Sequence, residues 1–332
     1  MLKPTQESIE LACDVIKSGG VVAIPTETVY GLFANATEAD ACANIFKAKE
    51  RPQDNPLIVH VSDYEMLNEI ALEVPEDAMK LAEAFWPGPL TMIMKKKSII
   101  PDQTSAGLDT VGIRMPSNPV VLEIISKTRL PLAGPSANRS GRPSPTDALT
   151  VFNDMKGRIP LVLDGGDCTI GLESTVISLA EETPILFRPG YVTAKQIEEV
   201  LGKKIIISKG ISEELQRGEK VLSPGLKHKH YAPKAEVVIV NAPFEKYKEL
   251  VESENATALC FEEYCDRLNV KSVAYGSESD SASQAVRLFH ALRELDELGA
   301  EKVYAMMPST EGVGLAVYNR LLRSAAFRVV NL

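Results

Sequence analysis

Short runs of aliphatic and β-branched residues alternate with amphipathic helical segments along this 332-residue chain, and this alternation restricts the fold most strongly. Residues 6–20 place four apolar side chains at helical spacing and end in a glycine pair, which predicts a helix and its end. The VVAIP run that follows is typical of a short buried strand. A second helix is predicted after Thr37, which has capping-box spacing with Asp40. The pattern indicates an α/β protein.

The composition changes after residue 208, and this change divides the chain. Residues 209–235 contain few apolar residues, two prolines and a basic cluster, as in a linker. Beyond them, short strand candidates alternate with helical segments, which indicates a small βαβ series with a parallel sheet. We therefore predict a first α/β domain at 1–208, a linker at 209–235 and a smaller α/β domain at 236–332.

Composition and charge exclude several classes of protein. The chain is 45% hydrophobic and 24% charged, and no apolar run approaches the ~20 residues that cross a bilayer. Its first residues soon turn polar, so we expect no secretory signal, no membrane partner and a cytoplasmic location. Five scattered cysteines without a CxxC pair favour buried thiols over a disulfide framework or a zinc site. A net charge of −9 argues against a general nucleic-acid binder, so any anion site must be local.

The sequence KAKERPQDNPLIVHV, residues 47–61, gathers positive charge just ahead of a predicted strand. Lys49 belongs to the last turn of a predicted helix, where the helix dipole favours a cation by ~0.3–1 kcal/mol. Arg51 and Asn55 stand beyond that helix, beside prolines that fix the loop, so the dipole does not explain them. Both favour an anion site. His60, within the strand, is either an internally satisfied polar residue or a ligand-binding one.

Polar side chains also stand at other predicted strands. Thr26 and Thr28 follow the VVAIP strand, where α/β sheets commonly bind ligands. An ordinary turn in which the threonines bond their own backbone is the alternative. Arg114 lies within an apolar strand, and arginine is seldom buried unless it is paired. It either meets an acidic neighbour or presents its guanidinium to a carboxylate or phosphate ligand.

The loop AGPSANRSGRPSPT, residues 133–146, concentrates small and hydroxyl-bearing residues between prolines. Its amides and hydroxyls, at Gly134, Ser136, Asn138 and Ser144, can form a concave nest for phosphate oxygens. The alternative is a disordered surface loop, but the prolines argue against disorder.

Three further candidates are Ser174 and Arg188 at later strand edges and Tyr231 in the predicted linker. The chain contains neither a P-loop nor a GxGxxG motif after a strand, and no spacing typical of a metal-ligand set or a Ser-His-Asp triad. Together the polar stretches favour binding and positioning of an anionic ligand over covalent catalysis.

Six segments, in the order PTETVYG, KAKERPQDNPLIVHV, DTVGIRMP, GPSANRSGRPSPT, ESTV and RPG, closely resemble the YrdC-type domain of threonylcarbamoyl-AMP synthases. SPGLKHKHYAP and the α/β segment after it resemble the long form of that family. The chain departs from the common KGRP pattern, because Glu50 replaces the glycine. A negative charge there would oppose a phosphate site, so we expect the Glu50 side chain to point away from it.

The resemblance implies a fold and an activity. The fold would be a YrdC-like twisted mixed sheet with helices and a concave cleft, followed by a small Rossmann-like parallel-sheet domain. The activity would condense L-threonine, bicarbonate or CO2 and ATP into threonylcarbamoyl-AMP and pyrophosphate. The product would pass to a separate transferase that modifies tRNA, with direct contact between this chain and tRNA left open. Mg2+ would accompany ATP on its phosphate oxygens, with no dedicated protein cage.

The resemblance also implies site residues. The threonine site would comprise Thr28, His60, Arg114, Gly134 and Ser174. The ATP site would comprise Arg51, Asn55, Thr110, Ser136, Asn138, Ser144, Arg188 and Tyr231. Lys49 and Arg51 would stabilise the departing pyrophosphate. The linker that carries Tyr231 would close over ATP as a lid.

Two alternatives belong to other classes. A structured-RNA-binding module would use a concave positive surface, but the acidic total and the few aromatic residues count against it. A carbamoyl-transfer domain of hydrogenase maturation proteins would bring zinc-finger segments, whereas this chain lacks cysteine pairs.

Overall fold

The computed structural model describes residues 1–53, 55–213 and 231–332. Within these ranges the strands form one mixed sheet of ten and one parallel sheet of five. Residues 214–230, which are most of the predicted linker, lie outside the described residues. The predicted α/β class, with a mixed sheet followed by a parallel one, is confirmed.

The first sheet comprises β1 (Val22–Ile24), β2 (Gly31–Asn35), β3 (Ile58–His60), β4 (Leu90–Lys95), β5 (Thr110–Arg114), β6 (Leu132–Ala133), β7 (Leu161–Val162), β8 (Thr175–Ser178), β9 (Ile185–Arg188) and β10 (Ile206–Ile207). Its helices are α1 (Gln6–Lys17), α2 (Ala39–Lys49), α3 (Tyr64–Ile70), α4 (Glu76–Phe85), α5 (Asp102–Ser105), α6 (Pro119–Thr128), α7 (Ala148–Met155) and α8 (Ala194–Leu201). The strand order is β10-β9-β8-β4-β5-β3-β6-β2-β1-β7.

The second sheet comprises β11 (Glu236–Asn241), β12 (Thr257–Cys260), β13 (Ser272–Ala274), β14 (Lys302–Met306) and β15 (Val329–Asn331). Its helices are α9 (Phe244–Ser253), α10 (Ser281–Glu297) and α11 (Gly312–Ser324). The order is β13-β12-β14-β11-β15, with parallel pairing at every ladder described.

Helix starts show where local signals succeed and fail. Helix α1 begins at a capping box in which Thr5 and Ser8 bond each other's backbone amides. Helix α2 begins at Ala39 after Glu38, which makes no capping bond through its side chain. The capping box predicted at Thr37 is therefore wrong. Asn35 is the physical reason, because its Oδ1 accepts hydrogen bonds from both the amide and the hydroxyl of Thr37, at 3.0 and 2.8 Å.

Strand register brings the predicted polar residues together. Strands β3 and β5 run parallel with His60 opposite Arg114, and β3 pairs antiparallel with β6, whose last residue precedes Gly134. Strand β8 begins directly after Ser174, and Arg188 ends β9. One region of the sheet therefore receives side chains from three strands, β3, β5 and β9, and residues from the loops beside β6 and β8.

The apolar core of the second sheet also includes Val29 and Leu172, which belong to loops of the first. The two sheets are therefore packed against each other at loops close to the predicted site. None of the helices in the described ranges combines the length and apolar character that crossing a bilayer requires.

Candidate active site

A cavity lies where these strands and loops meet. It is lined by Thr26, Thr28, Val29, Gly31, Phe33, Arg51, Pro56, Ile58, His60, Arg114, Gly134, Pro135, Ser136, Glu173, Ser174, Arg188 and Tyr231. All five residues predicted for the threonine site are in this lining, with four of those predicted for ATP. The cavity combines three arginines with hydroxyls and an apolar floor.

Arg114 is buried and is held on three sides. Its Nε donates to the carbonyl of Gly88 at 3.1 Å, and its Nη1 donates to the hydroxyl of Thr28 at 3.0 Å. Its Nη2 lies 2.6 Å from Glu27 Oε1, which makes a buried ion pair. That pair is close but poorly aligned for a hydrogen bond, since Nη2 and both Glu27 oxygens have no hydrogen-bond partner in the described part of the chain. Arg114 therefore retains donor capacity for a ligand carboxylate.

Thr28 is positioned by a turn in which hydroxyls bond locally. Thr26 Oγ1 lies 2.9 Å from Thr28 Oγ1 and donates to the carbonyl of Val29 at 2.6 Å. The locally bonded turn that was the alternative to a ligand site is therefore present. The same turn also directs the Thr28 hydroxyl toward Arg114.

His60 is buried against both a positive charge and an aromatic ring. Burial, together with the nearby charge of Arg114, lowers the pKa of His60 to about 3. Its ring stands edge-on to Phe33 with centroids 4.9 Å apart, and its Nδ1 is 3.4 Å from the carbonyl of Leu132. The imidazole is therefore neutral near pH 7, so it offers one donor and one acceptor and no charge.

We expect the ring signals of His60 to stay constant in NMR spectra between about pH 5 and about pH 9, because its pKa lies below this range. An unfolded histidine titrates near 6.5, so the neutral His60 stabilises the fold fully above that pH. Stability should fall as the pH drops below 6.5, by at most about 1.4 kcal/mol per pH unit. The His60→Gln variant assigns the signals and removes this contribution. A His60 midpoint near 6.5 would contradict the argument.

Phe33 forms the floor of the cavity between two glycines. A Cβ on either Gly31 or Gly134 would come within 2.4 Å of the Phe33 ring, a distance that real side chains do not tolerate. Any larger residue at position 31 or 134 would displace the Phe33 ring, so the shape of the cavity requires glycine at both positions. Gly134 also donates its amide to the carbonyl of Ile58 at 2.9 Å.

Ser174 and Arg188 form one buried unit. Arg188 donates to the carbonyl of Ser174 at 2.9 Å and to its hydroxyl at 3.1 Å. Ser174 Oγ also lies 2.7 Å from Thr91 Oγ1. Burial lowers the pKa of Arg188 to about 10, so it remains a cation at neutral pH.

Lys49 is buried within the 133–146 loop and does not project freely. Its Nζ donates to the carbonyls of Ser136 and Asn138, the latter at 2.6 Å. Burial, followed by repulsion from Arg51, holds the pKa of Lys49 well below its usual value. Asn138 in turn donates to the carbonyls of Arg139 and Arg142. The loop is therefore ordered around the Lys49 side chain, which argues against the alternative of a disordered segment.

Arg51 and Asn55 follow the end of α2. Arg51 lines the cavity, half-buried, with its Nη2 3.4 Å from the carbonyl of Asn55 and its guanidinium carbon 5.7 Å from the centre of the Phe46 ring. Asn55 is buried, and its Oδ1 has no hydrogen-bond partner among the described residues. A cation and an amide oxygen thus stand together at this edge of the cavity.

Glu50 occupies a left-handed backbone position, with φ 54° and ψ 46°, that favours glycine. Its carboxylate pairs with Arg139 at 2.6 Å and with Arg158 at 2.9 Å, and the residue is absent from the described lining of the cavity. The Glu50 carboxylate is thus turned toward two arginines outside the cavity lining, while the position of the phosphates stays a prediction. The ion pairs hold the pKa of this exposed carboxyl below its usual value.

The chain is similar to known proteins over nearly its whole length. A family profile described as telomere recombination matches residues 14–190, and one described as threonylcarbamoyl-AMP synthase, C-terminal domain, matches residues 192–326. A threonylcarbamoyl-AMP synthase of Pyrococcus abyssi is 41% identical over 98% of this chain and 96% of its own length. The chain belongs to the threonylcarbamoyl-AMP synthase family. The resemblance found in the motifs is thereby confirmed.

Other members of the threonylcarbamoyl-AMP synthase family agree with this assignment. The Bacillus subtilis member is 42% identical over 99% of this chain and 96% of its own. The crystal structure of P. abyssi Sua5 complexed with L-threonine superposes with a TM-score of 0.92 at 40% identity, covering 99% of this chain and 97% of that one. The fold of the synthase family therefore extends over both sheets.

Several residues that the resemblance to the synthase family implies for the ATP site are not part of the cavity lining. Thr110 lies on the same face of β5 as Arg114, about 13 Å along the strand. Asn55, Asn138, Ser144 and Lys49 are buried beside the lining. Tyr231 lines the cavity with a positive φ of 62°, and its ring is 5.2 Å from that of Phe289. These ATP contacts stay predictions.

Sequence reasoning allowed for an acidic neighbour of Arg114 but identified neither of the two carboxylates at the site. Glu27 pairs with Arg114, and Glu173 lines the cavity while it accepts a hydrogen bond from Ser144 at 2.5 Å. Glu27 lies in the motif PTETVYG and Glu173 in the motif ESTV. The available signal was Arg114, because an arginine in a buried strand usually requires a carboxylate nearby. In the described ranges, no group of three or more His, Cys, Asp or Glu side chains is arranged to hold a metal ion.

Proposed function

We propose that this protein is an L-threonylcarbamoyladenylate synthase, which condenses L-threonine, bicarbonate or CO2 and MgATP to threonylcarbamoyl-AMP and pyrophosphate in the cytoplasm. The observation that carries the proposal is the single cavity in which all five predicted threonine-site residues stand beside Arg51, Ser136, Arg188 and Tyr231. Two substrates bound there would be close enough to be joined through one carbon. The threonine complex of the P. abyssi relative supports the amino-acid half of the site.

The threonine half of the cavity offers complementary groups. Arg114 has an incompletely satisfied guanidinium that suits the substrate carboxylate. Neutral His60 and the hydroxyls of Thr28 and Ser174 can bond the substrate amine and hydroxyl without adding charge. Neutral His60 adds no charge beside the threonine amine. The deprotonated amine would form its N–C bond to CO2 with loss of a proton, or to bicarbonate with loss of water, and either reaction gives the carbamate.

The ATP half supplies positive charge around the leaving group. Arg51 and Arg188 line the cavity, and Lys49 lies behind Ser136. The carbamate oxygen would attack the α-phosphorus in line, and these cations would stabilise the negative charge that develops on pyrophosphate. Mg2+ would enter with ATP on its phosphate oxygens. No side-chain nucleophile is required, so positioning and exclusion of water supply most of the catalysis.

We further propose that the product passes to a tRNA threonylcarbamoyl transferase. The predicted lid falls within residues 209–235, of which 214–230 lie outside the described residues. Tyr231, the first described residue after them, is buried and lines the cavity.

The decisive experiment incubates the protein with ATP, Mg2+, bicarbonate and each amino acid in turn and measures pyrophosphate. We expect release that depends on threonine, with threonylcarbamoyl-AMP detected by mass spectrometry. Pyrophosphate release that ignores the amino acid would overturn the proposal. Binding of structured RNA at physiological salt without any ATP turnover would favour the RNA-binding alternative.

A further inference from the structure

A buried arginine from the second half of the chain reaches the wall of the cavity. Arg320, on α11, has no exposed surface, and its Nε donates to Glu173 Oε2 at 2.9 Å. Its Nη2 donates to the carbonyl of Glu173 at 3.1 Å, and its Nη1 donates to the carbonyl of Pro189 at 2.9 Å. One guanidinium therefore fixes two loops of the first sheet from outside that sheet.

The two loops carry site residues. Glu173 immediately precedes Ser174, and Pro189 immediately follows Arg188, while Arg188 itself bonds Ser174. The other oxygen of Glu173 accepts the hydroxyl of Ser144. Through Glu173 and Pro189, Arg320 thus connects to Ser144, Ser174 and Arg188, three residues predicted to bind substrate.

Glu173 also poses an electrostatic problem. Its carboxylate lines a cavity that we propose to hold a triphosphate, and an uncompensated negative charge there would repel that ligand. Burial alone would raise the pKa of Glu173, but Arg320 and Arg188, with the hydrogen bond from Ser144, together keep it below its usual value. Glu173 is therefore ionised, and its charge is met on one side by Arg320.

We propose that Arg320 is a positioning residue for the ATP half of the active site, holding Glu173 in place and compensating its charge. The inference rests on the proposed function. It assigns the C-terminal half of the chain a part in substrate binding that is separate from any lid, because the contact is made by α11 and not by the linker. Ser144 and Arg188, predicted for ATP, depend on it more than the threonine-binding groups around Arg114 do.

The test compares the Michaelis constants of the full-length Arg320→Met variant with those of the unaltered protein. With the charge of Glu173 compensated only by Arg188, we expect KM for ATP to rise at least about tenfold. We expect KM for threonine to rise much less than KM for ATP, because Ser174 is the one predicted threonine-site residue among those that Arg320 connects to, and Arg114 keeps its own carboxylate partner. A variant that only loosened the fold would not separate the two constants.

A double variant isolates the charge. Replacing Glu173 by Gln as well removes the unmatched negative charge and leaves an amide oxygen for Ser144, so E173Q/R320M should recover most of the lost ATP affinity. If Arg320→Met folds poorly, the double variant still allows the test, because replacing Glu173 by a neutral glutamine removes the buried charge that would destabilise the fold. KM for ATP that stays normal in Arg320→Met, or that the double variant fails to recover, would overturn the proposal.

Arg293 provides a matched control. It is another arginine of the second half that pairs across the interface, with Asp154 at 2.8 Å, and it also donates to the carbonyl of Pro143, which precedes Ser144. Unlike Arg320, it compensates no carboxylate that lines the cavity described. Arg293→Met should therefore raise KM for ATP much less than Arg320→Met does, and an equal effect at both arginines would mean that Arg320 acts only by holding the interface together. If the unaltered protein shows no threonine-dependent pyrophosphate release, the proposed function fails. Direct calorimetry of ATP binding to the same four proteins then still decides the role of Arg320.

Discussion

Replacing Arg51 by alanine should lower threonine-dependent pyrophosphate release at least about a hundredfold, the loss typical when a charge-stabilising donor is removed from an active site. Arg51 lines the cavity just beyond the end of α2, half-buried, where its guanidinium can meet the triphosphate. Folding should be little affected, because Arg51 stands outside the apolar core clusters of the described residues. Pyrophosphate release and thermal melting of the same preparation check both statements.

Lys47→Ala is the matched control for this loss of charge. Lys47 is exposed near the end of the same helix and does not line the described cavity, so its removal should leave turnover within about twofold. Arg51→Lys should fall between the two, since an ammonium keeps the charge but loses the guanidinium's paired donors. A soluble Arg51→Ala protein with full activity would refute the role assigned to Arg51.

Replacing Arg114 by methionine should have two separable effects. Turnover should be lost because the threonine carboxylate loses its partner, and the fold should lose about 3–5 kcal/mol because Glu27 is left as an unpaired buried carboxylate. Urea denaturation measures the second effect, and pyrophosphate release measures the first.

The E27Q/R114M variant separates these effects. A neutral glutamine in place of Glu27 removes the buried charge, so this variant should regain most of the stability while its turnover stays low. Recovery of turnover along with stability would mean that Arg114 acts only through the fold. If the double variant remained as unstable as Arg114→Met, the stability contributed by Arg114 would not come from its ion pair with Glu27.

The fold class could be predicted because its signals are local. The alternation of strand and helix patterns, and the switch to a parallel βαβ series after the linker, rest on residues that are neighbours in sequence. Helix α2 shows the limit of this reasoning. Thr37 has the spacing of a capping residue, but Asn35, at the end of a strand, captures its hydroxyl. A competing acceptor in three dimensions cannot be seen from spacing alone.

The site could be predicted in outline, through motifs that resemble those of the threonylcarbamoyl-AMP synthases. The residue-level geometry could not, because it depends on pairs that lie far apart in the sequence. Glu173 and Arg320 are 147 positions apart, and no local pattern connects them. The burial of Lys49 among loop carbonyls likewise depends on the loop packing against α2, which only the folded structure provides.

The wide sequence separation of the cavity walls has a consequence for biosynthesis. A ribosome adding about 5–20 residues per second needs roughly 10–40 s to extend the chain from Thr28 to Tyr231. Within that interval β1 gains its parallel partner β7 only when residue 162 has been added, and β4 gains β8 only when residue 178 has been added. The sheet that carries the site can therefore be completed before Tyr231 is synthesised, and the cavity is still without that wall when the strands pair.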